Sequence, residues 1–123
     1  MIPLQIRIKP LKEVLDDFEA TYEAVRQGRE VTPRRILSFE NVEEFRAFFT
    51  ERRLELLRTI RRRNPRSVYA LAHMLGRDLK SVRTDLALLA RLGVVRFSRA
   101  RRGTRYRKIP HVDFDRVVLE MAV

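Results

Sequence analysis

The sequence predicts an α+β fold that is mainly helical, with a strand-and-helix extension at the N-terminus. Three observations support this prediction. Hydrophobic residues alternate with polar ones from Leu4 to Ile8, as they do in a strand, and then recur every three or four residues in several later segments, as they do in helices. Gly76 and Gly103 stand where tight turns are needed. The 123 residues suffice for one small domain with its own core, or for such a domain with an arm.

The first fifty residues are predicted to form a strand, a helix, a second strand and a second helix. Leu4, Ile6 and Ile8 form the buried side of the first strand. The first helix ends at Gly28, and acidic residues lie opposite its apolar side, which consists of Leu11, Val14, Leu15, Phe18, Tyr22 and Val25. The segment RRILSFE is the second strand, and a capping box of Asn41 and Glu44 then opens the next helix, whose buried side is Phe45, Phe48 and Phe49.

The apolar side of the first helix has two interpretations. Leu11, Phe18 and Val25 are seven residues apart, which is the repeat of a seam between two helices. Packing against the core of the same chain explains the same pattern. The sequence leaves both interpretations open.

A third helix, ERRLELLRTIRRR, is predicted after Thr50, its N-cap, and stops at the Asn64–Pro65 pair. Leu54, Leu57 and Ile60 line one side of it.

The segment Ser67–Val95 predicts two short helices joined by a tight turn. Ala72 is small enough for the point where the helices cross, Gly76 forms the turn, Asp78 caps the second helix and Gly93 ends it. The apolar residues of the inner sides are Leu71, Leu75, Val82, Leu86 and Leu89. The next residues, VVRFS, read as a strand.

Net positive charge is confined to the middle of the chain. The net charge is +11, but residues 51–110 hold 18 basic and 4 acidic side chains, whereas the segments on either side are both slightly acidic. The stretch SRARRGTRYRK alone carries six cations and no acid. Repulsion among so many like charges is costly in a compact state. This distribution of charge therefore predicts a face that binds a polyanion.

Several functional classes find no support in the sequence. Without cysteine there are no disulfides or thiolate metal sites, and His73 and His111 are too few for a histidine metal site, so we expect no metal and no cofactor. No glycine-rich phosphate loop or serine–histidine–acid arrangement suggests an enzyme. With no apolar run long enough for a membrane span and no secretory signal, we expect a cytoplasmic protein that does not bind membranes.

The segment between Ala72 and Val95 resembles the winged helix-turn-helix of MarR-like transcriptional regulators from bacteria and archaea. The matching positions are Ala72, Leu75, Gly76, Val82, Leu86, Leu89, Gly93, Val94 and Val95. With the flanking segments SFENVEEFRAFFTERRLELL and KIPHVDFDRVVLEM, the chain is also similar to a family of small DNA-binding regulators, some of which resemble antitoxins. The resemblance covers about Ile36 to Met121.

The resemblance implies a DNA-binding surface made of a recognition helix at 79–92 and a basic wing at 99–105. VVRFS and YRKI would be the strands of the wing, and RARRGT its tip. The residues expected to contact DNA are Ser67, Lys80, Ser81, Arg83, Thr84, Arg99, Arg101, Arg102 and Arg105. Further phosphate contacts are expected from Arg61, Arg62, Arg63 and Arg66. Asp85, which would repel phosphate, is expected to form a structural ion pair.

The implied organisation is a module at 1–50 for dimerisation or partner binding, a DNA-binding domain at 51–110, and a C-terminal strand at 111–123 that packs on the N-terminal module. Val117, Leu119 and Met121 alternate as in a strand and are expected to pair with Leu4, Ile6 and Ile8, within or between chains.

The expected function is regulation of transcription by a homodimer on double-stranded DNA, most simply as an autoregulatory repressor. The alternative is an antitoxin that neutralises a toxin protein while it represses their operon. RNA binding ranks lower, because the basic segment has only Tyr69, Phe97 and Tyr106 for base stacking.

Overall fold

The computed structural model describes residues 1–30 and 36–123. These residues form five helices and five strands, which makes the fold α+β. In chain order the elements are β1 (Leu4–Ile8), α1 (Leu11–Arg26), β2 (Ile36–Phe39), α2 (Val42–Phe48), α3 (Glu51–Arg63), α4 (Val68–Leu75), α5 (Leu79–Arg91), β3 (Arg96–Arg102), β4 (Arg105–His111) and β5 (Val117–Met121). The predicted strand RRILSFE begins with Arg34 and Arg35, which lie outside the described residues.

The chain divides into two compact units. The helical unit contains residues 49–115, and the sheet unit contains Ile2–Phe48 together with Arg116–Val123. The boundaries between the units therefore fall after Phe48 and after Asp115, whereas the sequence predicted boundaries after residues 50 and 110.

The sheet unit contains a three-stranded parallel sheet in the order β2-β1-β5. Leu4, Ile6 and Ile8 of the central strand are buried, as their alternation predicts. They pair with Val117, Leu119 and Met121 of β5, so the expected pairing of the C-terminal strand with the first strand is confirmed, and it occurs within one chain.

Aromatic side chains join α2 to β2. The ring of Phe39 contacts the rings of Phe45 and Phe48, at centroid distances of 5.9 and 5.8 Å. At the start of α2, Asn41 Oδ1 accepts a hydrogen bond of 2.8 Å from the amide of Glu44. The Glu44 carboxylate accepts in return from the amide of Glu40, one residue earlier than in a standard capping box.

The apolar side of α1 is exposed. No residue of this helix is buried, and Phe18 has 71% of its surface accessible. Packing against the core of the same chain therefore does not account for the apolar pattern of α1 in the residues that the structure describes.

The helical unit has its core between α3, α4 and α5. Leu56, Ile60, Leu71, Leu86 and Leu89 are almost completely buried there. Leu57 and Ile60 line α3 as predicted, but Leu54 is only half-buried, and Leu56, which was not among the predicted buried residues, takes the central place. Successive residues of a helix point about 100° apart, so Leu54 and Leu56 lie on nearly opposite sides of α3, and it is Leu56 that is fully buried.

Three side chains cap the helices of this unit. Thr50, Ser67 and Asp78 accept hydrogen bonds from the backbone amides of Arg53, Ala70 and Ser81, as N-cap residues do. Gly76 adopts a φ of 62° after α4, and its amide reaches back to the carbonyl of His73. The predicted turn between the two short helices is thus confirmed.

The hairpin has longer strands and a shorter tip than the sequence predicted. The predicted tip RARRGT is wrong, because β3 and β4 remain paired up to Arg102 and Arg105 and leave only Gly103 and Thr104 as the turn. Gly103 has a φ of 63°, which supplies the positive φ that a two-residue hairpin turn requires. Val94 and Val95 precede β3 and belong to the buried core.

Within residues 1–30 and 36–123, no helix combines the length and the apolar character that a membrane span requires.

Replacing Gly76 with alanine should lower the free energy of unfolding by about 1 kcal/mol, because a side chain with a Cβ is strained at this φ. The added Cβ meets no atom within 4 Å, so the cost comes from the backbone alone. Urea denaturation measures the loss. Gly76→Asn is the control, and it should cost less, because asparagine tolerates a left-handed conformation; an equal loss in both variants would contradict this explanation.

Candidate nucleic-acid interface

An open cavity of about 920 Å³ lies in the helical unit, between the start of α4, one side of α5 and the hairpin. Its lining contains five cations, namely Arg83, Arg102, Arg105, Arg107 and Lys108. Its other residues are Ser67, Val68, Tyr69, Leu86, Ala87, Phe97 and Tyr106. The cavity thus brings together predicted site residues from three separate segments of the chain.

Arg83 is the cation that α5 contributes to this cavity. Its side chain is exposed because Val82 and Leu86, its neighbours on the helix, point into the core. Among the described residues, no carboxylate forms an ion pair with Arg83, Arg102 or Arg105. The guanidinium groups at the cavity are therefore available to an anion.

Lys80 and Thr84 are also exposed on α5, one turn apart, but they do not line the cavity. The hydroxyl of Thr84 donates a 2.9 Å hydrogen bond to the carbonyl of Lys80. A hydroxyl oxygen in this position can still accept a hydrogen bond from a ligand.

Ser67 has a structural role at the first turn of α4. Its side-chain oxygen accepts a 3.0 Å hydrogen bond from the amide of Ala70, and its φ and ψ are extended, as for an N-cap. The hydroxyl proton is still available as a donor. Because Ser67 also lines the cavity, a bound anion would meet this donor and the positive end of α4.

Ser81 differs from the other predicted contact residues. It is half-buried, and its hydroxyl accepts a 2.8 Å hydrogen bond from Nη2 of Arg77. The same Arg77 nitrogen lies 2.6 Å from Asp85. The structure thus connects Ser81 to an internal ion-pair cluster rather than to the cavity.

Asp85 is the centre of that cluster and is 9% exposed. One carboxylate oxygen lies 3.0 Å from Nε of Arg53 on α3, and the other accepts from Arg77 in the turn before α5. Burial opposes ionisation of this carboxyl, but the hydrogen bonds and the positive charges of Arg77 and Arg53 together outweigh burial, so the pKa of Asp85 lies below its usual value. The expected structural ion pair is confirmed, and it fixes α5 against α3.

The basic residues of the hairpin lie on both of its faces. Arg102 and Arg105 are directly opposite each other beside the turn, whereas Arg99 lies opposite Lys108. Arg101 lies opposite Tyr106, and its Nε donates to the carbonyl of Gly103. Cations directly across a strand pair repel each other. The pairs Arg102–Arg105 and Arg99–Lys108 are therefore destabilising in the absence of an anion.

Two smaller cavities extend the basic surface. One, of about 390 Å³, is lined by Arg66, Arg101, Arg102 and Arg107, and the other, of about 570 Å³, by Arg63, Arg66 and Arg107. Of the additional phosphate contacts that the sequence suggested, Arg63 and Arg66 therefore adjoin the site, whereas Arg61 and Arg62 line none of these three cavities.

Sequence reasoning missed Arg107 and Lys108. Arg107 lines all three cavities, and the Lys108 ammonium lies 5.5 Å from the ring centroid of Phe97. Both residues belonged to the predicted strand YRKI, and only the register of the hairpin shows which way they point. Their charge in an otherwise strand-like segment was the signal that could have identified them.

Two other side-chain contacts stabilise the base of the hairpin. Ser98 Oγ lies 2.6 Å from Nε2 of His111, which joins β3 to β4. The Arg96 guanidinium binds both carboxylate oxygens of Asp113, at 2.9 and 3.2 Å, and this carboxylate raises the pKa of Arg96. Neither pair lies among the residues that line the main cavity.

In the part of the chain that the structure describes, no group of three or more histidine, aspartate or glutamate side chains could hold a metal ion.

Comparison with known protein families identifies the family of the chain. The family model of HVO_A0114 matches residues 48–119, which is more than half of the sequence. The chain belongs to the HVO_A0114 family. No curated protein and no solved structure matches the chain. The name of the family states no activity, substrate or partner.

Replacing Asp85 with alanine should lower the free energy of unfolding by about 3–5 kcal/mol, because Arg77 and Arg53, both largely buried, would each lose an ion pair. Asp115→Ala, which removes an exposed aspartate of the same unit, should cost less than about 0.5 kcal/mol. Urea denaturation at neutral pH compares the two variants. Equal losses would contradict a central role of Asp85.

The same carboxylate should make stability depend on pH. Because the pKa of Asp85 is lower in the folded than in the unfolded chain, its contribution is complete at neutral pH and is lost as the pH falls below about 4. Thermal melts from pH 7 to pH 2 measure this loss, and Asp85→Asn should show a smaller decrease across that range. A decrease of the same size in the variant would assign the acid sensitivity to other carboxylates.

Proposed function

We propose that this member of the HVO_A0114 family binds double-stranded DNA and regulates transcription, with the helical unit acting as a winged helix-turn-helix. The order of its elements supports the proposal. Helix α3 precedes the pair α4 and α5, a glycine turn joins that pair, and a basic hairpin follows. In a winged helix-turn-helix, the last helix of this series enters the major groove.

The observation that carries the proposal is the convergence of unpaired cations from α5 and the hairpin on one open cavity. A surface of this kind is unfavourable by itself, because its charges repel one another and no carboxylate of the described residues pairs with them. DNA phosphates compensate for this repulsion and release counterions when they bind. The cavity is open to solvent, and its cations come from α5 and from both strands of the hairpin. This arrangement suits the backbone or a groove of DNA better than a small anion.

In this proposal, α5 reads the bases and its neighbours bind phosphate. Arg83 can donate two parallel hydrogen bonds to guanine, and Lys80 and Thr84 lie on the same exposed side. Ser67 and the first amides of α4 bind a phosphate, as helix N-termini do. Ser81 contributes indirectly, because its hydrogen bond with Arg77 helps to hold the start of α5.

The hairpin follows the DNA backbone beside the site of α5. Its short, two-residue tip presents Arg102 and Arg105 together, and Arg107 lies next to them on β4. Arginine beside a narrow minor groove is favoured by the strong negative potential there. Arg99 and Arg101 lie on the other side of the hairpin from Arg102 and extend the surface for phosphates.

The simplest regulatory role is repression of the protein's own promoter or of a nearby one. No residue of the described chain identifies an effector, so the operator has to be found by experiment. Genomic fragments from the source organism that the full chain retains should be sequenced and then titrated at near-physiological salt. We expect at least one duplex to bind about 1,000-fold more tightly than unrelated duplexes. Equal affinity for all duplexes, for structured RNA or for heparin would refute the proposal.

Arg83→Ala should weaken binding to the selected duplex by about 1–3 kcal/mol and relax the base preference at one position. Binding is measured by fluorescence anisotropy on the selected duplex and on variants of each base pair. The control is Arg91→Ala, which removes the same charge from the exposed end of the same helix, outside the cavity. If Arg83→Ala weakened binding to all duplexes equally, Arg83 would be a phosphate contact.

The double variant Arg102→Ala, Arg105→Ala should reduce the slope of log affinity against log salt by about 2, one unit for each lost phosphate contact. The matched control, Arg46→Ala with Arg52→Ala, removes two exposed charges that line none of the cavities. Its slope should stay close to that of the natural chain. An unchanged slope in the hairpin variant would mean that the tip does not touch DNA.

A further inference from the structure

The first helix of the sheet unit carries a continuous apolar stripe that is exposed along its whole length. The stripe consists of Leu11, Leu15, Phe18, Tyr22 and Val25, each more than half exposed. Successive members are four, three, four and three residues apart. This alternation is the repeat of a helix that packs along another helix.

The other side of α1 already has a partner within the chain. Lys9, which follows β1, forms an ion pair with Asp17, and this hydrogen bond lowers the pKa of Asp17. At about 100° per residue, Asp17 lies about 120° around the helix from the middle of the stripe. The stripe is therefore the side of α1 that faces away from this ion pair.

We propose that the stripe is the dimer interface, and that α1 of a second copy of the chain packs on it in the antiparallel direction. A monomer rarely exposes five large apolar side chains in one contiguous row. A second α1 fits the row because it offers the same spacing, and a two-fold axis makes the surface complementary to itself. The interface lies in the sheet unit and does not depend on the proposed binding of DNA.

Charge beside the stripe selects the direction and the register. One edge of the stripe carries Lys12, Glu19 and Arg26, whereas Val14 and Thr21 on the other edge are uncharged. An antiparallel pair brings the two charged edges together, while a parallel pair places each charged edge against an uncharged one.

In the antiparallel pair, opposite charges meet when Leu15 packs against Phe18 of the second copy. Lys12 of each chain then lies beside Glu19 of the other, so that the interface gains two attractive pairs. A shift by one heptad would instead place Glu19 beside Glu19 of the second copy and Lys12 beside the second copy's Arg26. The observed charges therefore favour the first register.

The edge strand β5 is the competing surface of the same unit. Val118, Leu119 and Met121 are about half exposed there. An edge strand can pair with another edge strand, and a lysine on it prevents this association. Val118→Lys is therefore the matched control for changes in α1.

The first experiment measures self-association of the full chain by sedimentation equilibrium without nucleic acid. We expect a dimer whose Kd rises at least about 100-fold in Phe18→Glu, because two carboxylates would be buried at the centre of the seam. Val118→Lys should leave the Kd within about threefold of the natural value. Circular dichroism checks that both variants keep their helices.

The second experiment exchanges charges. In a dimer of Lys12→Glu, positions 12 and 19 of the two chains are all glutamate, and in a dimer of Glu19→Lys they are all lysine. Each variant alone should therefore dimerise about 10-fold more weakly. An equimolar mixture should restore the natural affinity, because every glutamate that one variant contributes to the seam then faces a lysine of the other variant. Light scattering and a size tag on one variant identify the mixed dimer.

A monomeric natural chain, or a dimer that Phe18→Glu leaves intact, would overturn the proposal. Dissociation by Val118→Lys alone would assign the interface to β5. If the charge variants dimerised normally and gained nothing from mixing, the antiparallel register would be wrong. These outcomes are independent of the affinity for DNA, so they also distinguish this proposal from the proposed function.

Discussion

The helical unit depends on one buried carboxylate in a strongly basic segment. Asp85 binds Arg53 of α3 and Arg77 of the α4–α5 turn at the same time. These two arginines therefore stabilise the packing of α5 and do not add to the exposed charge. Apart from Arg96 at the base of the hairpin, the remaining cations of α5 and the hairpin have no such partner among the described residues. This division explains how a chain with a net charge of +11 can fold and still present an uncompensated surface.

Repulsion among the cations of the uncompensated surface destabilises the fold, and the hairpin reduces this repulsion without removing it. The hairpin spaces its arginines along two paired strands and confines the turn to Gly103 and Thr104, yet Arg102 and Arg105 remain directly opposite. Such pairing is unfavourable unless an anion lies between the side chains. The proposed function gives this arrangement a physical reason, because phosphates on a duplex are spaced to neutralise several cations at once.

The sequence predicted the elements whose causes are local. Caps such as Thr50 and Asp78, the left-handed glycine at Gly76 and the alternation of Leu4, Ile6 and Ile8 depend on neighbouring residues, and each occurs in the structure. The pairing of β1 with β5 was also predictable, because two apolar strands were left without partners. The ion pair of Asp85 was expected because a carboxylate beside the proposed DNA-reading side of α5 would otherwise repel phosphate, and because the family pattern includes this residue.

Features that depend on distant residues were not predictable in the same way. The side on which Arg107 lies follows from the register of the hairpin, and the role of Ser81 follows from the hydrogen bond that Arg77 donates to its hydroxyl. The exposed stripe of α1 shows a different limit, because the same 3.5-residue repeat serves a core or a second chain. The sequence defined the apolar side, and in the residues that the structure describes Leu11, Leu15, Phe18, Tyr22 and Val25 are each more than half exposed.

The proposed function requires α4, α5 and the hairpin to act together as one surface for duplex DNA. Nuclear magnetic resonance of the full chain, with and without the selected duplex, shows which residues the duplex contacts. We expect amide shifts to cluster at residues 67–69, 79–84 and 97–108 and to leave the sheet unit unchanged. Shifts concentrated in the sheet unit, or spread evenly over exposed residues, would contradict it.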